Sequence, residues 1–318
     1  MAIRTGVDWR SVTGDPLNQG DYREQPAEEA SSEIADNIGD SETGCTVKQL
    51  PRRLQFRSAE VATIINPVNA PGIGPTALAG TAPPDGPLRA AISTAKYWGP
   101  TRRTLTVSFL DGGSQDLRRR ILSHLNAWSR TGCIDFAETQ GTGQVRIARG
   151  GGGYWSYLGT DVLLIPHNRP TMNLQGFTTR TPESEYKRVV RHEAGHTLGM
   201  PHEHMRRALV ERIDREKAYN YFFLTQRWDR DTVDQQVLTP LEEATLMATP
   251  ADQDSIMCYR LPGSITIDGL PIRGGVDIND SDYAFIGRVY PRQDSAPGDP
   301  ADDNECWPES EDVRQLLF

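Results

Sequence analysis

Three histidines with a fixed spacing are the residues of this sequence best suited to bind a metal ion. His192 and His196 are four positions apart, so on a helix their imidazoles lie on one face. Gly199 permits the positive φ with which a chain leaves a helix, and His202 follows three positions later. Three protein nitrogens leave a fourth coordination position for water, which is typical of a catalytic zinc. The spacing therefore predicts one catalytic Zn2+ held by His192, His196 and His202.

A carboxylate directly follows the first of these histidines. Beside the ion but outside its coordination sphere, a carboxylate can take a proton from a zinc-bound water and later deliver it to a leaving amine. We therefore predict that Glu193 is the general base and acid in peptide-bond hydrolysis. The full pattern H-E-x-x-H-x-x-G-x-x-H, from His192 to His202, is far more specific than H-E-x-x-H alone. The competing interpretation, a helix with solvated histidines, does not account for the complete pattern.

A second motif, SIMCY at residues 255–259, lies in a predicted turn. Met257 alone would be interpreted as an ordinary core methionine. After the metal motif, it is predicted to form the apolar floor beneath the histidine ligands that is known as the Met-turn of metzincins.

The two motifs resemble those of the astacin-like metalloproteases of the metzincin clan. Residues 192–206 (HEAGHTLGMPHEHMR) are similar to the family's extended zinc signature, and residues 255–259 to its Met-turn. The resemblance implies an α+β fold and a two-lobed catalytic domain. In such a domain a mixed sheet and the active-site helix form the upper part, above a mostly irregular and helical lower lobe. It also implies a zinc-dependent endopeptidase whose partners are protein or peptide substrates.

The resemblance further assigns roles to two residues near the motifs. Tyr259 stands where the family has a tyrosine that binds the zinc or steadies the transition state, so it is a catalytic residue and a candidate fifth ligand. Glu203 would meet the freed N-terminus of the mature enzyme in a buried interaction. The alternative is a plain surface carboxylate beside His204.

The four cysteines are too few for a disulfide scaffold, and they contain no C-x-x-C pair. Cys258 replaces the histidine that usually lies in the family's Met-turn. The family ties an early cysteine to one near the C-terminus, which implies a disulfide between Cys133 and Cys306, with two free thiols as the alternative.

Hydrophobic periodicity predicts the elements that must position these residues. The active-site helix is expected to begin with Thr181 as its cap and Pro182 in the first turn, and to stop at Gly199. An extended substrate would pair with an edge strand, for which residues 172–177 are a candidate. We expect strands at 104–110, 144–148 and 161–165, and helices at 117–129, 182–198 and 280–290.

Composition divides the chain into three parts. Residues 1–91 are predicted to be an N-terminal arm with a Pro/Gly-rich linker at 66–87, residues 92–292 the metzincin catalytic domain, and residues 293–318 an acidic C-terminal tail. By resemblance the arm is a candidate pro-segment of a latent zymogen. Either Asp40 or Cys45 could cap the zinc, since carboxylate and thiolate are both competent ligands; the alternative is a disordered arm.

Charge and hydropathy exclude several classes of protein. The net charge of -9 argues against a nucleic-acid partner, and no run of about 18 apolar residues could span a membrane. The N-terminus has no apolar signal core. We expect a monomer that is secreted or delivered outside the producing cell by a route without a visible signal peptide, with the cytoplasm as the alternative.

Two other functions compete with the protease. One is a catalytically silent, zinc-holding module that binds protein, against which the intact Glu193 argues. The other is a gluzincin peptidase with a glutamate as third ligand, against which His202 after Gly199 argues.

Overall fold

The computed structural model of the chain describes residues 45–70, 91–242 and 246–292. Within these ranges, a six-stranded sheet and a two-stranded sheet are formed. The strands are β1 (Cys45–Lys48), β2 (Ala91–Ser93), β3 (Arg103–Phe109), β4 (Ile134–Glu138), β5 (Val145–Ala148), β6 (Tyr154–Tyr157), β7 (Met172–Leu174) and β8 (Leu246–Ala248).

The helices surround the main sheet and also form a second cluster. The helix that carries the metal motif, α3, runs through three successive segments (Glu183–Glu185, Tyr186–Val190 and Arg191–Thr197), of which the middle one is π-helical. The others are α1 (Arg52–Ile65), α2 (Gln115–Leu125), α4 (Arg207–Val210), α5 (Arg215–Gln226), α6 (Arg230–Val233), which continues as a π-helix at Asp234–Leu238, and α7 (Asp280–Val289).

The main sheet is mixed, with the strand order β1-β6-β7-β5-β3-β4. Strand β3 is parallel to β4 and β5, β5 is parallel to β7, and β6 is antiparallel to β7. One hydrophobic core lies between this sheet and α2, α3 and α7, and a second lies among α5, α6 and the segment after the Met-turn. The predicted α+β fold with a mixed sheet is confirmed.

The candidate for the substrate-binding edge strand is wrong. Met172–Leu174 lies inside the sheet as β7, between β5 and β6, and all three side chains are buried. Among the strands of residues 91–292, β6 and β4 are the two outermost. Strand β1, from the N-terminal part of the chain, pairs with β6 in parallel, with Cys45 opposite Tyr154. The outer edge of β6 is therefore occupied by the chain's own N-terminal segment.

The predicted strand at residues 161–165 is also wrong, although the segment is as buried as its composition indicates. Gly159–Leu164 forms 3-10 helix that begins at a glycine with φ +51°. The Arg146 guanidinium donates hydrogen bonds to the carbonyls of Val162 and Ile165, at 3.4 and 2.8 Å. Because side chains satisfy these buried carbonyls, the segment needs no partner strand.

The same 3-10 segment holds α1 against the rest of the protein. The Asp161 carboxylate accepts hydrogen bonds from Ser58 of α1 and from Lys96, each at 2.6 Å. Asn69, just after α1, donates to the carbonyls of Ala62 and Tyr97. Residues 45–70 are thus fastened by buried polar contacts as well as by β1.

The other predicted elements differ mainly at their ends. The strands at 104–110 and 144–148 are confirmed as β3 and β5, and the helix at 280–290 as α7, with a capping box between Asn279 and Asp282. The helix predicted at 117–129 begins two residues earlier, because Ser114 caps it, and continues beyond Leu125 as 3-10 helix. Among the described residues, no helix has the length and apolar character that crossing a membrane requires.

Candidate metal centre

The first two histidines project from the last segment of α3, where backbone carbonyls fix their tautomers. His192 Nδ1 lies 2.6 Å from the carbonyl oxygen of Ile256, and His196 Nδ1 lies 2.7 Å from that of Met200. A carbonyl oxygen can only accept, so each Nδ1 carries the proton and donates it. Each Nε2 is therefore left with a free lone pair, which is the form in which imidazole binds a metal.

The third histidine is brought back by the turn after α3. Gly199 ends the helix with φ +94°, and His202 Nε2 then lies 3.0 Å from His196 Nε2. All three imidazoles are buried. Burial lowers the pKa of His192 to about 4, and it lowers the pKa values of His196 and His202 well below their ordinary value. The neutral, ligand-competent forms therefore predominate at neutral pH.

Buried histidine nitrogens without hydrogen-bond partners indicate that a cation fits between these rings. Among the described residues, His192 Nε2 and His202 Nδ1 have no hydrogen-bond partner, and the Nε2 atoms of His196 and His202 face each other. Buried polar atoms without a partner are costly, and a metal ion bound to the three Nε2 lone pairs would satisfy His192 Nε2 and the facing Nε2 atoms of His196 and His202. The donor set is therefore that of a zinc site.

A fourth potential ligand comes from the N-terminal segment. The Sγ of Cys45 and one nitrogen from each of the three histidines all lie within 4.8 Å of one another. Burial, followed by the neighbouring Glu193, raises the pKa of the Cys45 thiol. Of the two residues predicted to cap the metal, Cys45 is brought to the site, whereas Asp40 lies outside the described residues.

Glu193 is fully buried beside the histidines. No N–H or O–H group of the described residues donates to either carboxylate oxygen, and the Cys45 thiol is its polar neighbour. Burial raises the pKa of Glu193 to about 8. The carboxylate is thus next to the metal position without being fixed by an ion pair.

Met257 lies directly beneath α3. A Cβ atom placed on Gly195 would collide with Met257 Sδ and would approach Trp128 to 3.3 Å. The glycine inside the H-E-A-G-H sequence is therefore required by this close approach. Met257 Sδ thus packs against the helical segment that carries His192 and His196, and its role as the floor of the metal site stays a prediction.

Asp282, which the sequence analysis did not select, holds the Met-turn in place. Its Oδ1 accepts from Ser255 Oγ at 2.6 Å, and its Oδ2 accepts from Ile256 N at 3.1 Å. Since Ile256 also supplies the carbonyl bound by His192, Asp282 positions the His192 imidazole through one intermediate residue. Its place in the predicted first turn of α7 was the only signal in the sequence.

The Tyr259 ring lies against two histidines. Its centroid is 4.3 Å from that of His204, with an interplanar angle of 11°, and 4.3 Å from that of His202. Its hydroxyl is buried without a hydrogen-bond partner in the described part of the chain, and burial raises the pKa of Tyr259 well above its ordinary value. The protonated hydroxyl is therefore available as a donor.

Glu203 is buried, so the alternative of a plain surface carboxylate is wrong. It accepts from Arg206 at 3.1 Å and from the Asp252 amide at 3.3 Å. Burial raises its pKa to about 7. The implied contact with a freed N-terminus stays a prediction.

The disulfide implied between Cys133 and Cys306 stays a prediction. Cys133 is a buried free thiol whose Sγ lies 3.5 Å from the Pro100 carbonyl oxygen, while Cys306 lies outside the described residues. Cys45 and Cys258 are buried free thiols as well.

Comparisons with known proteins agree with the geometry. The family model for the astacin peptidases matches residues 91–266, more than half of the chain. The structure of myroilysin is 31% identical with a TM-score of 0.59, over 64% of this chain and 99% of that chain. High choriolytic enzyme 1, a hatching enzyme zinc-protease of the medaka fish Oryzias latipes, is 18% identical with a TM-score of 0.42, over 60% of this chain and 90% of that one.

A curated relative matches a shorter stretch. Zinc metalloproteinase nas-27 of Caenorhabditis elegans is 30% identical over 89 residues, which is 28% of this chain and 19% of that relative's length. The family model, in contrast, spans the three histidines and the Met-turn together. The resemblance seen in the sequence is confirmed, and the chain belongs to the astacin family of zinc metallopeptidases.

Proposed function

We propose that this chain is a zinc-dependent endopeptidase that hydrolyses peptide bonds in proteins. The supporting observation is the convergence of three buried imidazoles, two with Nε2 lone pairs fixed by carbonyl contacts, beside the buried Glu193 carboxylate. His192, His196 and His202 would hold the zinc. When bound, zinc polarises the scissile carbonyl and lowers the pKa of the attacking water.

The chain's own residues would move the proton and stabilise the developing charge. Glu193, outside the ligand set, would take the proton from the water and return it to the leaving amine. Tyr259 would donate a hydrogen bond from its unpartnered hydroxyl to the oxyanion. The position of Glu193 argues against the silent binding module, which has no use for a buried carboxylate without a hydrogen-bond donor.

The N-terminal segment would keep the enzyme latent. With Cys45, the three histidines make a four-membered ligand set of the kind that closes a tetrahedral zinc site and excludes water. Strand β1 also covers the edge of β6, to which an extended substrate would otherwise add. We therefore propose a zymogen in which Cys45, rather than Asp40, is the blocking residue.

We extend the proposal to the remaining predictions drawn from the resemblance. The enzyme would be a monomer acting outside the cell that makes it, and the mature N-terminus would meet Glu203. That carboxylate already pairs with Arg206, so the ammonium group would join an existing ion pair.

Zinc content and cleavage of an unfolded protein substrate test this function. The samples are the full chain, the same chain after limited proteolysis of its N-terminal segment, and Glu193→Gln in both forms. We expect about one zinc per chain in every sample and cleavage only by the processed wild type. Zinc binding without cleavage in the processed wild type would refute the protease, and equal cleavage by both wild-type forms would refute latency alone.

A further inference from the structure

Strand β1 is held along both of its edges. On one side it pairs with β6, with Val47 opposite Ser156. On the other side, Val47 N donates to Gln236 Oε1 at 3.2 Å, and Gln236 Nε2 donates to the Val47 carbonyl at 3.5 Å. A single side chain therefore binds both backbone groups of one extended residue, as a neighbouring strand would.

Gln236 is fixed relative to the metal centre. It lies in the π-helical segment that follows α6, and its side chain is buried. Its backbone carbonyl accepts a hydrogen bond from His204 Nε2 at 2.9 Å, and the His204 ring stacks on Tyr259. The carboxamide thus stays at a set distance from the ligands, whatever strand lies beside β6.

Strand β1 lies along the route that an extended substrate would take. It begins at the metal centre, with Cys45, and follows the edge of β6. When β1 leaves, the Gln236 carboxamide loses the only side-chain hydrogen bonds it makes within the described ranges, and it faces the vacated strand position. The carboxamide then offers its donor and its acceptor to whichever main chain takes the place of β1.

We infer that Gln236 is a substrate-positioning residue that binds the main chain of an extended peptide opposite β6; this rests on the proposed peptidase function. A carboxamide offers one donor group and one acceptor, so it can pair with the N–H and C=O of a strand of either polarity after turning about its terminal bond. It contacts the backbone only, so the contact is independent of substrate sequence. The peptide would be held between β6 and Gln236. Gln236 would bind the peptide residue that lies two positions along from the residue at the metal, just as it binds Val47, two positions after Cys45.

Steady-state kinetics on the full chain processed by limited trypsin digestion test this inference. Gln236→Met keeps the volume but removes both hydrogen bonds, and Gln236→Ala provides a second variant if one folds poorly. Gln235→Ala is the matched control, because Gln235 lies in the same helical segment with its side chain exposed. Zinc content and circular dichroism verify that each variant is folded.

We expect the Gln236 variants to raise KM about 3- to 10-fold, with kcat within about twofold, as the loss of one or two net hydrogen bonds predicts. A peptide series N-methylated at one residue at a time supplies a second readout. One methylation should lower kcat/KM of the wild type by a similar factor and have no effect in Gln236→Met. Gln235→Ala should match the wild type in both assays.

The outcomes separate this inference from the proposed function. Unchanged KM and an unchanged methylation profile in Gln236→Met would overturn it while leaving the peptidase intact. Gln236 would then bind only β1 and not substrate. Weaker binding of a synthetic peptide of residues 43–50 by Gln236→Met would show this. If the processed wild type binds zinc but cleaves nothing, the peptidase fails. Equal affinity of wild type and Gln236→Met for an uncleaved extended peptide would then overturn the positioning role.

Discussion

Replacing Gly195 by alanine tests how the Met-turn supports the metal site. An alanine inside a helix is favoured over glycine by about 0.8–1.0 kcal/mol, so a helix glycine with space around it should gain stability on substitution. At Gly195 the added Cβ would overlap Met257 Sδ and press against Trp128. Overpacking of a filled core costs about 1–3 kcal/mol. The expected net result is a loss of about 1 kcal/mol in the free energy of unfolding.

Gly287→Ala is the matched control. Gly287 lies within α7, and the nearest atom to an added Cβ is Thr131 Cβ at 3.3 Å, tight but without overlap. We expect a change between zero and a gain of about 1 kcal/mol, since the helix preference is opposed by only a mild contact. The two glycines therefore differ in the sign of the effect, although the chemical change is the same.

Urea denaturation of the metal-free chains and zinc affinity by chelator competition are the measurements. The shift of Met257 in Gly195→Ala should be passed to its neighbour Ile256, whose carbonyl orients His192. Loss of such an outer contact typically weakens metal binding about 10- to 100-fold. Combining Gly195→Ala with Met257→Ala should cost less than the sum of the single changes, since the overlap disappears. A Gly195→Ala chain as stable as Gly287→Ala, with wild-type zinc affinity, would refute this account.

Three further perturbations probe the contacts around the site. Cys45→Ser should give the unprocessed chain measurable peptidase activity, because serine is a poor replacement for the thiolate ligand. The variant should still bind one zinc through the three histidines. Continued full latency would exclude Cys45 as the blocking group. Asp282→Asn should lower the free energy of unfolding by about 1–3 kcal/mol in urea melts, because the three groups that donate to the carboxylate cannot all pair with an amide. The control, Asp280→Asn, changes an exposed residue and should alter the free energy of unfolding little. Equal effects of the two substitutions would contradict the role of Asp282. Asp161→Asn weakens the 2.6 Å ion pair with Lys96 and, with it, the docking of α1. Trypsin should therefore cut the N-terminal segment of this variant faster than that of the wild type. An unchanged rate of cutting would contradict the anchoring role of Asp161.

The convergence of the three histidines was predictable from sequence because their geometry is local. His192 and His196 lie on one helix face through a spacing of four, and Gly199 fixes the turn that returns His202. Nothing outside an eleven-residue segment is needed to bring these rings together. The position of Met257 beneath these rings could be predicted only from the family resemblance, because its contact with Gly195 joins distant parts of the chain.

Contacts that join distant segments escaped the sequence analysis. The choice between Asp40 and Cys45 stayed open because the parallel pairing of β1 with β6 leaves no local pattern. The buried run at 161–165 has the composition of a strand, and its 3-10 form depends on hydrogen bonds from Arg146. Gln236 has no sequence signal at all, since its role depends on which backbone lies next to it.

The way in which β1 is held explains how modest contacts could suffice for latency. Strand β1, α1 and the catalytic part belong to one chain, so β1 competes with substrate at the high effective concentration that a tether provides, which for short linkers is in the millimolar range. Four paired residues, one glutamine and the Ser58–Asp161 contact need not bind tightly under that condition. A cut in the Pro/Gly-rich stretch between residues 70 and 91 removes the tether and leaves every contact intact. Activation would then depend on dissociation of residues 45–70 as well as on the cut, and activity should rise on dilution of the nicked protein.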